Sequence, residues 1–180
     1  MDRFDVCLPY ILKEECPLPN DWPNPHNYSD DYGDPGGPTM CGITQREYDL
    51  WRKGHSLPTQ DVIHIGKDEG YALYRIGYWL PRCPALPPGL DLFFFDTAVN
   101  MGSNRAVKLL QASLGITVDG IWGPVTDAHV AAIKNPIPIL KDEEKRRARL
   151  YESFGTFHLF GKGWLARDHH IASIAEGMVA

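Results

Sequence analysis

Phe4, Cys7, Leu8, Ile11 and Leu12 recur at three- and four-residue spacing, which predicts an amphipathic first helix. Glu15 continues the same stripe, where a charge belongs only if the stripe ends at a cleft. A carboxyl held against apolar surface has its charged form disfavoured, so it can keep its proton near neutral pH and serve as a general acid. The alternative is a helix-end glutamate in water. Further on, Thr39, Gly42, Ile43 and Thr44 form a short strand-like stretch. Thr44 then predicts a cap on a helix from Gln45 to about Lys53, with Glu47 completing a capping box and Gly54 as the stop. Residues 59–65 read as a short helical piece, and Lys67 to about Trp79 as a longer helix. Leu90 to Met101 is nearly all apolar but too short for a membrane, so it predicts a central helix buried on most sides. Ser103 is expected to cap the next helix, which Gly115 ends. The run from Lys141 to Arg149 alternates charge at helical spacing and reads as a solvated face. The pattern as a whole predicts a mainly α protein with a small irregular β-hairpin near residues 38–44.

The apolar central helix carries polar groups that need partners. Asp96 and Asn100 sit one turn apart in the central helix. Buried polar groups are paired, so Asp96 is expected to tie helices together. Asn100 has two readings, a tie of the same kind or a group facing a substrate groove.

Proline and glycine mark the loops. Pro17, Pro19, Pro23 and Pro25 make the stretch after Glu15 unsuited to helix or central strand. Asp34-Pro35-Gly36-Gly37 is a bend. A length of 180 residues suits one compact domain or two small ones, and 43% hydrophobic residues suffice for a core. The sequence suggests a region 1–97 and a helical region 98–180, packed as one unit.

Charge and cysteines narrow the function classes. The net charge is −5. Residues 1–97 carry 15 acidic and 8 basic side chains, whereas residues 98–180 carry 8 and 10. No basic stripe with interleaved aromatics suggests nucleic-acid binding. Cys7, Cys16, Cys41 and Cys83 contain no Cys-x-x-Cys pair, and the seven histidines show no ligand rhythm, so neither a metal nor a cofactor is expected. Reduced thiols are the default for a cytoplasmic product, with Cys7 in the core. A Cys16–Cys41 bridge in an oxidising compartment stays open. The N-terminus lacks the basic start and apolar core of a Sec signal peptide, which suggests synthesis in the cytoplasm. Stable membrane insertion is not expected.

The order of these features resembles glycoside hydrolase family 108, muramidases of phage lysis cassettes and bacterial secretion loci. Phe4, Asp5, Leu8, Leu12 and Glu15 match the opening helix of the family, with Glu15 rather than Glu14 in its catalytic slot. Tyr28, Ser29, Asp31, Asp34, Pro35, Gly36, Gly37, Thr39, Gly42 and Ile43 match its Tyr-Ser-x-Asp-x-x-Asp-Pro-Gly-Gly-x-Thr-x-x-Gly-Ile segment. Tyr78-Trp79, the stretch from Phe95 to Gly102, and Arg149, Tyr151, Phe160, Gly163-Trp164 and Arg167 extend the likeness toward the C-terminus. Leu110-Gln111, Asp119-Gly120, Gly123 and Thr126 look like a peptidoglycan-binding repeat, although such turns also serve merely to connect helices. One departure is clear. The family glutamate is followed at once by two glycines and the tyrosine, whereas here Cys16 to Asn27 intervene. That insertion reads as an extra loop beside the cleft.

The resemblance implies a lysozyme-like fold and cleavage of the β-1,4 bond between N-acetylmuramic acid and N-acetylglucosamine in peptidoglycan. Glu15 would be the general acid. Asp34 and Thr39 would orient water or stabilise charge, unless Asp34 only caps its bend and Thr39 is only a strand residue. Tyr28, Tyr78, Trp79 and Asn100 are the candidate substrate-binding residues. The partners implied are peptidoglycan glycan strands and a holin-like pore or export system, with the chain acting as a monomer. The rival readings are a lytic transglycosylase and a non-catalytic wall-binding or secretion accessory protein.

Overall fold

The computed structural model describes residues 2–30 and 37–179. They fold as a mainly helical protein with a small three-stranded antiparallel sheet, divided into two compact units, Met1–Gly77 and Tyr78–Ala180. Residues 97 and 98 both lie inside a single helix of the second unit.

The first unit begins with α1, Arg3–Glu15, capped by the Asp2 carboxylate and burying Phe4, Cys7, Leu8, Ile11 and Leu12 as the apolar spacing predicts. The proline-rich insertion follows. It is closed on itself by Asn27, whose side chain accepts from the Leu18 amide (2.8 Å) and donates to the carbonyls of Leu18 (3.0 Å) and Asp21 (2.8 Å). Trp22 from this loop lies so close to Gly70 that a Cβ there would fall 2.4 Å from its ring. The insertion therefore packs back onto α3, Lys67–Tyr74.

The strands are β1 (Tyr28–Ser29), β2 (Thr39–Met40) and β3 (Ile43–Thr44), in the order β1-β2-β3. Met40 pairs with Ile43, which leaves Cys41-Gly42 as a two-residue hairpin loop. Both loop residues have positive φ, 48° and 73°. That is the loop geometry whose twist suits two antiparallel strands. α2, Gln45–Gly54, starts with the expected capping box between Thr44 and Glu47. Among residues 59–65 only Val62–His64 forms a helical turn, of the 3-10 type. The predicted helix from 67 to 79 is regular as far as Tyr74 and then widens into a π-helical turn, Arg75–Trp79.

The second unit is built around α4, Leu90–Met101, whose residues from Leu90 to Ala98 are all buried. Around it pack α5 (Ser103–Ser113), α7 (Ile137–Glu152) and α8 (Phe157–Gly177); α6 (Pro124–Ala131) completes the set. Ser103 does not cap α5. Gly102, at φ 88°, ends α4 and turns the chain directly into α5, so Ser103 is already helical. The run from Lys141 to Arg149 is not a solvated face throughout. Leu140, Glu143, Arg147 and Tyr151 form a buried stripe on α7.

The reason lies on α4. The Asp96 carboxylate, fully buried, accepts from Arg147 at 2.5 Å and from Arg167 of α8 at 2.7 Å. Burial alone would raise its pKa, but the two guanidiniums outweigh that and hold it below the usual carboxylate range. Arg147 also donates to the Thr97 hydroxyl (2.9 Å) and the Tyr151 hydroxyl (3.1 Å). Asp96 thus ties three helices together, as expected for a buried charge that has found partners.

The repeat-like motif at residues 110–126 is likewise a set of structural contacts. Gln111 accepts from the amides of Asp119 (3.1 Å) and Gly120 (2.9 Å) and donates to the Asp119 carboxylate (2.8 Å) and the Ile121 carbonyl (3.0 Å). One buried side chain therefore holds the whole loop between α5 and α6.

Candidate active site

Glu15 is the last residue of α1 and is half-buried. The chain leaves the helix through Cys16, whose amide still donates to the Leu12 carbonyl (2.8 Å). Cys16 and Cys41 form a disulfide with a Cα–Cα distance of 4.6 Å. Cys7 and Cys83 are buried and outside any disulfide, as the default of reduced thiols expects, whereas this pair takes the alternative that the sequence left open, a Cys16–Cys41 bridge. A local reading of spacing does not reveal that the β2–β3 turn returns to the end of α1.

That turn also contacts the glutamate. A Cβ built on Gly42 would lie 2.6 Å from Glu15 Oε2 and 3.3 Å from its carboxyl carbon. The carboxyl group therefore rests directly against the Gly42 backbone. The hydroxyl of Tyr74 lies 3.5 Å from the same point and donates to the Cys41 carbonyl at 2.6 Å. One two-residue turn does two jobs: Cys41 tethers the residue after Glu15, and Gly42 makes room for its carboxyl. Gly42 itself is exposed, so this carboxyl stands where the protein surface opens. A half-buried acid with a constrained side chain and access from outside is the arrangement that general-acid chemistry needs.

Thr39 lies on β2, two residues before Cys41, and is half-buried opposite Ser29 and Thr44. Tyr28 pairs with Met40 across the β1–β2 ladder. Asp34, with Asp31, lies outside the described residues. Thr39 and Tyr28 thus share the small sheet whose turn meets Glu15.

The remaining candidates belong to the second unit. Trp79 is 1% exposed and packs edge-on against Phe95 at 5.3 Å, a core position. Tyr78 is half-buried. Asn100 is exposed at the end of α4, and its side-chain oxygen accepts from the Tyr151 hydroxyl at 2.8 Å. Asn100 therefore ties α4 to α7, the first of its two expected readings.

Sequence reasoning did not find Tyr74 or the joint role of Cys41-Gly42. The available signal was a Cys-Gly pair in a two-residue loop, where Gly supplies one of the two positive φ angles. Among the described residues, no group of three or more His, Cys, Asp or Glu side chains converges in the manner of metal ligands.

A mainly helical protein with a small three-stranded antiparallel sheet has the architecture of the lysozyme-like fold. Comparison with known proteins makes the class specific. The sequence profile described as glycosyl hydrolase 108 matches residues 10–102. That range takes in Glu15, Thr39 and every other candidate site residue. The chain belongs to this family, and it is a glycoside hydrolase of the peptidoglycan-degrading kind. Its structure is similar to that of SagA from Brucella abortus, with a TM-score of 0.82 and 30% sequence identity over 98% of this chain and 95% of that one. No match is found among curated proteins.

Proposed function

We propose that this protein is an N-acetylmuramidase with Glu15 as its general acid. It would cut the β-1,4 bond between N-acetylmuramic acid and N-acetylglucosamine. The observation that carries the reading is the placement of the Glu15 carboxyl against Gly42, beside the Cys16–Cys41 bridge. The glycosidic oxygen is a poor leaving group until it is protonated. Glu15 gives it a proton as positive charge builds on the sugar ring. In this reading Thr39 and Asp34 orient the attacking water or stabilise that charge, and Tyr28 and Asn100 contact the glycan.

The substrate lies outside the inner membrane. No helix among the described residues is long and apolar enough to cross a bilayer. In this reading a holin-like pore or an export system brings the enzyme to the wall, where it acts as a monomer.

Digestion of purified sacculi followed by mass analysis of the products tests the reading. Wild-type protein should release muropeptides with reducing N-acetylmuramic acid ends, and Glu15→Gln should release none while keeping its fold. Products lighter by one water would instead identify a lytic transglycosylase. Full activity of Glu15→Gln would overturn the assignment of the acid.

A further inference from the structure

The second unit carries a groove between α5 and α7 with a volume of about 560 Å³. Four cations line it: Arg105 and Lys108 from α5, and Arg146 and Arg149 from α7. No carboxylate is among the lining residues. Arg146 is paired with Asp142 along its own helix, and Arg105 lies over the ring of Phe154, 5.6 Å from its centroid. The side chains of Lys108 and Arg149 are exposed and have neither hydrogen-bond nor ion-pair partner among the described residues. Between the cations the floor is apolar, with Leu109 and Leu150 half-buried.

We infer that this groove binds the carboxylates of the peptidoglycan stem peptide. The inference rests on the peptidoglycan reading above and adds which part of that polymer is recognised. The unmodified glycan backbone is largely polar and uncharged apart from the lactyl linkage, which the peptide caps. It has no use for four cations. A stem peptide alternates free carboxylates with short aliphatic side chains, and the groove alternates guanidinium and ammonium groups with leucine. Its volume lies within the range of sites that enclose ligands of a few hundred daltons. Guanidinium groups suit carboxylates because they offer two parallel donors. A phosphate-bearing polymer would satisfy the cations but would leave the leucine floor without a partner.

The test uses the full chain and three soluble probes: the tetrapeptide L-Ala-γ-D-Glu-meso-diaminopimelate-D-Ala, the same peptide with its carboxyls amidated, and inorganic phosphate. Binding is measured by calorimetry on wild type and on the Lys108→Glu/Arg149→Glu double variant. Both positions are exposed, and circular dichroism checks that the variant is folded. The expected result is that the free-acid tetrapeptide binds wild type, with Kd raised at least tenfold by either amidation or the double variant. The inference is overturned if wild type does not bind the tetrapeptide, if the double variant binds it equally well, or if phosphate binds more tightly than the peptide. Sacculus digestion is run in parallel. Cleavage without peptide binding defeats this inference alone, whereas peptide binding without cleavage defeats the muramidase reading alone.

Discussion

Glu15 and Gly42 are a matched pair: the carboxyl of one occupies the space that a side chain on the other would fill, with Oε2 only 2.6 Å from the Cβ position. The obstructed atom is the tip of a flexible side chain, which can swing aside. Gly42→Ala should therefore displace the acid more than it disturbs the fold. The positive φ of 73° adds about 1–2 kcal/mol of backbone strain. We expect sacculus digestion to fall at least tenfold, with a stability loss near that range in urea unfolding. Wild-type activity in Gly42→Ala would show that the carboxyl does not need this seat.

Cys16→Ser and Cys41→Ser should each lower both stability and rate. The bridge joins residues 25 apart in the chain. Constraint of a loop of that size is worth about 3.5 kcal/mol in the chain-entropy model. Treatment of wild type with reductant should reproduce the loss, and the Cys16→Ser protein should not respond to reductant. A reductant effect of the same size in Cys16→Ser would assign it to something other than this bridge.

Glu15→Gln and Glu14→Gln separate the catalytic slot from its neighbour. Glu14 falls one position off the apolar face, so its variant should digest sacculi at a near wild-type rate. An inactive Glu14→Gln beside an active Glu15→Gln would move the acid by one residue. Thr39→Ala should cut the rate without shifting the melting temperature if its hydroxyl positions water. Asp34→Asn should do the same if it handles water or charge, and should lower the melting temperature if it only caps its bend.

Stability should fall as pH rises, because of two buried acids in the second unit. Burial pushes the Glu143 carboxyl up to about 8, against the opposing pull of Arg147. Burial likewise pushes Asp168 up to about 7, although Arg147 stands 3.2 Å away. In the unfolded chain both ionise at ordinary carboxylate values. Between about pH 4.5 and 8 the folded state therefore holds more protons than the unfolded state, so stability declines through that window. Glu143→Gln mimics the protonated acid and should flatten its share of the slope. Urea unfolding at pH 5 and pH 8 should show the variant gaining on wild type at the higher pH. An equal difference at both values would mean that Glu143 is ionised in the folded state.

Arg147→Met should be strongly destabilising, by about 3–5 kcal/mol, because it leaves the buried Asp96 with Arg167 as its remaining guanidinium partner. The double variant Asp96→Leu/Arg147→Met should recover part of that loss, since the charge of Asp96 no longer stays buried without Arg147. Equal stability of the single and double variants would show that the charge on Asp96 is not the source of the cost.

What could be read from the sequence was local. The spacing from Phe4 to Leu12, the Thr44–Glu47 capping box and the unbroken apolar run of α4 each specify an element from residues a few positions apart, and all three occur. The order of the motif residues likewise led to the family. What escaped depends on distant partners. The Lys141–Arg149 run looks solvated because its charges alternate, but Arg147 is claimed by Asp96, 51 residues earlier. The seat of Glu15 joins the end of a helix to a turn formed by residues 41 and 42. The Tyr78-Trp79 motif puts Trp79 among the candidate substrate-binding residues, whereas its ring fills the core against Phe95.

The Cys16–Cys41 bridge also explains how this chain tolerates its insertion. In the usual family pattern the catalytic glutamate runs almost directly into the tyrosine of the first strand, and that short connection by itself limits how far the acid can wander. Here Cys16 to Asn27 lengthen the connection. The first residue of the added segment is the one that is bolted to the hairpin turn. Insertion and bridge thus work together: without either cysteine the lengthened connection would keep its slack and lose its tether.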